Sequence, residues 1–217
     1  LETLSHSLDA VSMSKFRYLE GNILFSRNCG DAEDRYKSAL EYIAVSDSSA
    51  ENRLRAFHSL SRLGMICNKG GRFEEAEAYL YKALPYLDEV PEEQYVYFTA
   101  ERAGVFNYLG YLYDGAEDYA RAEECYVRAL QIREKLRTYS VNVEDHYATT
   151  LGNLAFVYDS IGRFEESDRA FEDTVAIQKK LAYSNPREHL VKYAKSLYNY
   201  VYTVRNRYFE ESDCKYS

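Results

Sequence analysis

The stretch LGNLAFVYDSIGRFEESDRAFEDTV, residues 151–175, decides the fold of this chain. Its first half places four side chains at i, i+3, i+4 and i+7, the spacing of one face of an α-helix: Leu151, Leu154, Ala155 and Tyr158. Gly162 follows, and glycine readily takes the left-handed conformation that ends a helix. The second half repeats the helical spacing with Phe164, Ser167, Phe171 and Thr174. Because small and large residues alternate, two antiparallel helices can interlock, and the stretch predicts a helical hairpin.

Four other segments fit the same template and make the hairpin a repeat. They are FRYLEGNILFSRNCGDAEDRYKSAL (16–40, the weakest), LSRLGMICNKGGRFEEAEAYLYKAL (60–84), FNYLGYLYDGAEDYARAEECYVRAL (106–130) and LYNYVYTVRNRYFEES (197–212). The small residue that opens each second helix recurs at spacings of 44, 46, 45 and 45 residues, at Ala32, Ala76, Ala122, Ser167 and Ser212. In the weakest copy Glu20 stands where a small residue is expected on the first helix. One hairpin cannot bury its apolar face alone, so stacked copies must share a core.

The small-and-large pattern, with Leu63-Gly64, Ala76 and Ala83 and their counterparts, resembles the tetratricopeptide repeat. Spacing near 45 exceeds the usual 34 residues. The stretch LGNLAFVYDSIGRFEES (151–167) and the ending ALQIREKL (129–136) are similar to the long-repeat subtype of kinesin light chains. The resemblance implies an all-α, right-handed superhelix of about four and a half hairpins. It also implies that the first helix of each hairpin lines a concave groove for a peptide or partner helix.

The repeats predict a single domain over residues 1–217, with hairpins near 14–46, 57–90, 103–139 and 148–184 and an incomplete one at 194–217. The passage KLAYSNPREHLVKYAKSLYNYV resembles bacterial arrays of this subtype. Since the chain begins with leucine rather than methionine, and stops soon after the fifth copy, we expect a piece of a larger protein. An exposed apolar face on that last hairpin would favour self-association.

Residues beside the packing stripes of the first helices are the candidate partner-binding groove. The set is Arg62, Met65, Asn107, Tyr108, Tyr111, Asp114, Asn153, Phe156, Asp159, Tyr198, Asn199 and Tyr202. The asparagines recur, and an amide both donates to and accepts from a peptide backbone. The aromatic rings would form a floor for apolar or proline-rich side chains, or would pack between adjacent hairpins. Acidic and basic members both occur, so the ligand's charge stays open.

Catalytic and metal-binding patterns are missing from the sequence. The chain carries no phosphate-binding glycine motif, and Cys29, Cys67, Cys125 and Cys214 form no Cys-x-x-Cys pair. The four histidines, at positions 6, 58, 146 and 189, lie far apart. Acidic pairs such as Glu165-Glu166 recur in the first turn of second helices, where carboxylates favour the positive helix end. We therefore expect no enzyme, cofactor or metal site.

Composition narrows the class of partner. A net charge of −8 opposes binding to nucleic acid, and no apolar run is long enough to span a membrane. Cysteines without a disulfide pattern suit a reducing, cytoplasmic location. The sequence thus predicts a scaffold that binds a protein or peptide. The alternative is a peptide-sensing or regulatory module within a larger multidomain signalling protein.

Overall fold

The computed structural model describes residues 9–28, 30–44, 49–88, 95–137 and 141–213. Within these ranges the secondary structure is entirely helical, which confirms the predicted all-α class. The helices are α1 (Ala10–Ser26), α2 (Ala32–Ala44), α3 (Ala50–Lys69), α4 (Phe73–Ala83, followed by a 3-10 turn Leu84–Leu87), α5 (Tyr95–Gly115), α6 (Tyr119–Leu136), α7 (Val141–Ser160), α8 (Phe164–Ser184) and α9 (Pro186–Asp213). His6, Cys29 and Cys214 lie outside the described residues.

The chain divides into two compact units, Leu1–Val105 and Phe106–Ser217. The first contains the hairpins α1–α2 and α3–α4, together with the first half of α5. The second contains the rest of α5 with α6, the hairpin α7–α8, and α9. The two described cysteines, Cys67 and Cys125, are buried and are not part of a disulfide.

Each hairpin is held by one small residue of its first helix set against a large, buried residue of its second. In the first unit a Cβ added to Gly21 would lie 2.8 Å from the Tyr36 ring, and one on Gly64 would lie 2.9 Å from Leu80. In the second unit the same contact joins Gly110 to Tyr126, where a Cβ would approach to 2.7 Å. The backbones therefore approach too closely for any side chain at these positions.

This contact corrects the register of the first copy. Gly21, and not Glu20, occupies the small position against Tyr36. From Gly21 to Ala32 is one residue fewer than from Gly64 to Ala76, because the turn of the first hairpin is shorter. The register predicted for the first copy from the other copies is therefore wrong by one residue.

The turns are closed by residues with positive φ, though not always glycine. Gly71 (φ 74°) and Gly162 (φ 77°) follow α3 and α7, as predicted. Asn28 (φ 55°) does so after α1. After α5 the helix includes Gly115, and Glu117 (φ 58°) takes the left-handed conformation instead.

The fifth copy departs from the predicted hairpin. α9 continues without interruption through Ser212, which was expected to open a second helix. α9 contains no glycine, so the sequence lacks the residue that favours a left-handed turn. Val201 also replaces the small residue that would let a second helix approach. Both differences favour one long helix.

An arginine before a second helix reaches back to an acidic residue of the preceding hairpin. Arg72 donates to Glu33 from Nη1 at 3.0 Å, and Arg163 Nη1 donates to Glu123 at 2.7 Å. Each acceptor directly follows the small residue of its own second helix. The contact with Arg72, and a second one with Lys37, lower the pKa of Glu33 to about 2. These pairs tie consecutive hairpins together within each unit.

We predict that Gly110→Ala lowers the free energy of unfolding by about 1–3 kcal/mol, because overpacking a buried contact costs that much. Its matched control is Gly104→Ala in the same helix, where an added Cβ meets nothing within 4 Å. Removing an interior glycine there should raise stability by about 0.5–1 kcal/mol. Urea unfolding followed by circular dichroism measures both, and equal effects of the two substitutions would contradict the packing argument.

We also predict that Glu33→Gln destabilises the fold by about 1 kcal/mol at pH 7, the upper range for partly exposed ion pairs. The folded pKa of about 2 lies below the ordinary value of 4.5, so the contribution is complete above the ordinary value. It is then lost as the pH falls through the folded value. The difference between wild type and variant in urea titrations should therefore shrink from pH 7 to pH 2.5.

Glu74→Gln is the control for this series, because Glu74 is exposed and forms no ion pair with another described residue. It should change stability by less than about 0.5 kcal/mol. A Glu33→Gln deficit that stays constant across the pH range would show that the ion pair does not stabilise the fold.

Candidate functional site

A cavity of about 200 Å³ lies in the second unit between α7 and α9, with α8 beneath it. It is therefore flanked by α7 and α9, which are the first helices of successive copies in the repeat template. Its lining residues are Ala148, Thr149, Gly152, Asn153, Phe156, Phe171, Thr174, Gln178, Lys192, Lys195, Ser196 and Asn199. Three members of the predicted groove, Asn153, Phe156 and Asn199, are thus brought together.

The apolar part of the cavity is aromatic. The Phe156 ring meets the buried Phe171 ring edge to face, with centroids 5.0 Å apart and an interplanar angle of 86°. The opposite contact of Phe171 is a stacked Tyr200 at 5.5 Å. Because its neighbours hold Phe171 in place, Phe156 is presented to the cavity on a rigid base.

The polar rim of the cavity carries amides from both flanking helices. Asn153 lies two residues before Ala155, the small residue of α7, and Asn199 lies two residues before Val201 at the equivalent place on α9. The two amides therefore occupy equivalent positions in successive repeats. Each can donate and accept a hydrogen bond, as can the Thr149 hydroxyl. These side chains can therefore bind a peptide backbone, which presents both N–H donors and C=O acceptors.

A charged cluster lies at one end of the cavity. Lys192 Nζ donates to Asp145 Oδ2 at 2.6 Å, and Gln178 Nε2 donates to Asp145 Oδ1 at 3.0 Å. Burial raises the pKa of Asp145, but these two hydrogen bonds outweigh it and hold the pKa below its ordinary value. His189 is buried beside them, with Nδ1 3.8 Å from the same carboxylate. Lys192 is therefore paired with Asp145 within the fold.

Lys195 is a second lysine in the lining of the cavity. It lies one turn from Asn199 on α9, is exposed, and forms no ion pair with any residue the structure describes. Sequence reasoning missed Asp145 and Gln178, since Gln178 belongs to a second helix and comes to the cavity through packing of α8. Their spacing in the sequence gives no signal of this.

Two residues of the predicted groove do not line the cavity and instead bind other side chains of the chain. Asn107 Oδ1 accepts a hydrogen bond from the Thr150 hydroxyl at 2.7 Å, so its amide oxygen joins α5 to α7. Measured from the small residue of each helix, Asn107 is equivalent to Gly152 and not to Asn153. Asp159 is paired with Arg207, which also donates to Asp168 at 2.8 Å. Of the three asparagines predicted for the groove, Asn153 and Asn199 therefore line the cavity and Asn107 does not.

The remaining predicted residues of the second unit lie outside the cavity lining. Tyr108 and Tyr111 form a ring pair with centroids 6.0 Å apart, and Tyr111 is 55% exposed. Tyr198 and Tyr202 stack at 5.8 Å and are also exposed. Asp114 is half-buried, and burial raises its pKa.

Arg62 and Met65 belong to the first unit. The Arg62 guanidinium lies over the Phe25 ring at 4.9 Å and contacts Met65 Sδ at 3.6 Å. On the same helix the two ring nitrogens of His58 meet the hydroxyls of Tyr18, at 3.0 Å, and Tyr97, at 3.3 Å. Burial, together with the nearby positive charge of Arg62, lowers the pKa of His58 to about 4. His58 is therefore neutral near pH 7.

Metal-binding clusters and membrane-spanning helices are absent from the described part of the chain. No group of three or more histidine, cysteine or acidic side chains there is arranged to hold a metal ion. None of the helices described is both long and apolar enough to cross a membrane.

A family model described as tetratricopeptide repeat matches the sequence twice, over residues 54–135 and 101–180. Together these matches span more than half of the chain. No curated protein matches it in sequence.

Similar solved structures carry the same helical-repeat fold. BtubC (BKLC) from P. vanneervenii is 25% identical with a TM-score of 0.69, over 81% of this chain and 66% of that one. RapI in its apo form is 14% identical with a TM-score of 0.68, over 99% of this chain and 55% of that one. The nearly identical TPR-like repeats of a Podospora anserina kinesin light chain are 15% identical with a TM-score of 0.65, over 93% and 90%. The chain thus spans about two thirds or less of the first two proteins.

We predict that Lys192→Met lowers the free energy of unfolding at pH 7 by about 1–2 kcal/mol, because it removes a charge-assisted hydrogen bond from a buried carboxylate. The loss should diminish in acid: Asp145 has a lowered folded pKa, so its contribution is present above the ordinary value and disappears as the pH falls through the folded one. Lys195→Met, in the same cavity, should change stability by less than about 0.5 kcal/mol. Equal losses in chemical denaturation would refute the assignment of Lys192 as the structural lysine.

Proposed function

Because the chain belongs to the tetratricopeptide repeat family, we propose that it is a protein-interaction module that binds an extended peptide segment of its partner between α7 and α9. The observation that carries the proposal is the cavity itself: an aromatic base with one amide from each flanking helix at equivalent repeat positions. The family is generally a non-enzymatic scaffold, which agrees with an interaction role.

The chemistry of the cavity suits a peptide main chain. An extended segment presents an N–H and a C=O at every residue, and an asparagine amide can pair with both. Asn153 and Asn199 stand on opposite sides of the cavity, so each can bind one edge of such a segment. Phe156 would then contact an apolar side chain of the ligand, as hydrophobic pockets do in peptide recognition.

The cation at the rim indicates the charge of the ligand. Lys192 is neutralised by Asp145, whereas Lys195 is exposed and lacks a described carboxylate partner. A carboxylate of the peptide close to Lys195 would gain a charge-assisted hydrogen bond. We therefore expect the bound segment to carry an acidic residue. Tyr111, Tyr198 and Tyr202 are proposed as further contacts, since all three rings are exposed.

A structural neighbour supports the general role. The yeast histone chaperone Hif1, which is 11% identical with a TM-score of 0.63, is described as a scaffold protein recruiting protein complexes to core histones. At this identity the similarity shows the fold alone. We propose for this chain only the general role of a scaffold, and none of the partners of Hif1.

The test begins with a random 12-residue peptide library displayed on phage and selected against the chain. Fluorescence anisotropy then compares selected peptides on wild type and on the Asn153→Ala/Asn199→Ala double variant. Loss of two hydrogen bonds of about 1 kcal/mol each should weaken binding by about 10- to 30-fold. Peptides with an acidic residue should also lose affinity for Lys195→Met.

Asn206→Ala is the matched control, because Asn206 lies on α9 but does not line the cavity. It should leave the affinity of the same peptides unchanged. If every selected peptide bound the double variant as tightly as wild type, the cavity would not be the binding site. Failure to select any peptide would contradict the proposed function.

A further inference from the structure

A buried tyrosine of the third hairpin, which α5 and α6 form, has a hydroxyl group without a partner. Tyr126 on α6 is fully buried, and its ring packs so closely on Gly110 of α5 that an added Cβ would lie 2.7 Å away. Its hydroxyl oxygen is buried too and forms no hydrogen bond with any residue that the structure describes. Native proteins pair most buried polar groups, because an unpaired one costs the folded state free energy.

The first hairpin shows how the equivalent tyrosine is satisfied. Tyr36 packs on a glycine of α1 in the same way, and its hydroxyl donates to Asn22 Oδ1 at 2.9 Å. Asn22 is the residue that directly follows that glycine. On α5 the residue after the glycine is Tyr111, whose ring is 55% exposed. Since the two buried rings are placed alike, the hydroxyl of Tyr126 reaches the face of α5 that carries Tyr111.

A carboxylate on the same part of α5 has no partner either. Asp114 lies one helical turn after Gly110 and is half-buried. Its side chain forms no ion pair or hydrogen bond with another residue of the described ranges, so burial alone raises its pKa. Burial also raises the pKa of the Tyr126 hydroxyl, and the charge of the nearby Asp114 raises it further. Two groups that each cost the fold free energy therefore lie close together.

The fourth hairpin shows which group such a carboxylate binds. Asp159 and Asp114 each lie four residues after the small residue of their first helix. Asp159 is paired with Arg207, whose guanidinium also donates to a hydroxyl of the second helix, that of Ser167, at 3.0 Å. The third hairpin has a carboxylate and a second-helix hydroxyl as well. The arginine that reaches back to it, Arg163, binds other carboxylates.

We propose that Asp114, Tyr126 and Tyr111 bind an arginine side chain of a partner protein. The guanidinium donates to the Asp114 carboxylate and to the Tyr126 hydroxyl oxygen. Because the Tyr111 ring is exposed, it can move to admit the guanidinium and then lie over it. The proposal does not rest on the cavity between α7 and α9 binding a peptide. Further hairpins precede and follow α5 and α6 in the sequence, so these groups do not lie beside its ends.

The chemistry of the site favours a guanidinium over an ammonium group. A guanidinium carries several N–H donors in one plane, so it can bind two acceptors and stack on a ring at the same time. This chain already places arginines in that way, with Arg121 4.2 Å from the centre of the Tyr113 ring and Arg163 4.3 Å from that of Tyr158. An ammonium group is more strongly hydrated and gains less in a half-buried site.

The test uses N-acetyl-arginine methylamide as the probe, titrated into the isotopically labelled chain and followed by NMR. Backbone amide signals of Gly110, Tyr111 and Asp114 should shift and saturate. The citrulline counterpart has the same shape without the charge, and it should bind at least about tenfold more weakly, because hydrogen bonds to a charged group are stronger. Equal affinity for the two probes would overturn the proposal. Tighter binding of the lysine counterpart would contradict the choice of a guanidinium.

Asp114→Asn should abolish binding of the arginine probe, and Tyr126→Phe should weaken it by about three- to tenfold through loss of one hydrogen bond. Neither change should lower the urea midpoint. The raised folded pKa means that ionised Asp114 opposes folding above its ordinary pKa, and the Tyr126 hydroxyl has no partner to lose. Glu117→Gln is the charge-matched control: Glu117 is exposed, and its loss should leave probe affinity unchanged. Undiminished binding by Asp114→Asn or Tyr126→Phe would refute the site.

Tyr36→Phe separates a ligand-binding hydroxyl from a structural one. It removes the hydrogen bond to Asn22 and should lower the urea midpoint, whereas Tyr126→Phe should not. Equal losses of stability would show that the Tyr126 hydroxyl is satisfied within the fold, which would contradict the proposal. The Asn153→Ala/Asn199→Ala variant should bind the arginine probe as wild type does, so failure of the cavity proposal and failure of this one are distinguishable.

Discussion

A residue without a side chain, set against a large buried ring or leucine, holds these hairpins together. Gly21 against Tyr36, or Gly110 against Tyr126, allows two antiparallel helices to approach so closely that even a methyl group would collide. The large partner is fully buried in each case and fills the space between the helices. Since interiors are close-packed, this contact sets both the separation of the helices and their register.

The cavity between α7 and α9 is one consequence. Ala155 fixes α7 on α8, and Phe171 then lies between Phe156 and Tyr200. The amides of Asn153 and Asn199 stand at the same distance from the small position of their helices, so they meet across one opening. The helix α9 departs from this contact. There Val201 replaces the small residue and no glycine interrupts the helix, which continues to Asp213.

Polar side chains in this protein fall into two physical groups. Some are paired with other side chains of the fold: Arg163 binds Glu123, Lys192 binds Asp145, and Asn107 accepts a hydrogen bond from Thr150. Others, among them Lys195 and Arg205, carry charge at the surface and have no described carboxylate partner. Only the second group can contribute net binding energy to a partner, because the first group would have to break an existing interaction. Lys195, the cation of the proposed peptide site, belongs to the second group.

The sequence by itself determined the hairpins, the family and most of the small positions. Helical periodicity and the spacing of Ala32, Ala76, Ala122 and Ser167 are local properties that each copy repeats. Periodicity could not fix the turns, because Asn28 and Glu117 adopt the conformation that the pattern assigns to glycine. Nor could it distinguish Asn107 from Asn153: both recur along the chain, but Asn107 lies three residues before the small residue of its helix and Asn153 only two, so they lie on different faces.

Tertiary structure alone decided which polar groups remain available. Gln178 and Asp145 are 33 residues apart and belong to different helices, yet they share a hydrogen bond. Asp159 is paired with Arg207, which lies 48 residues away in the sequence. Such partners are chosen by the packing of whole helices, and a sequence records the chemistry of each side chain but not its nearest neighbour in space.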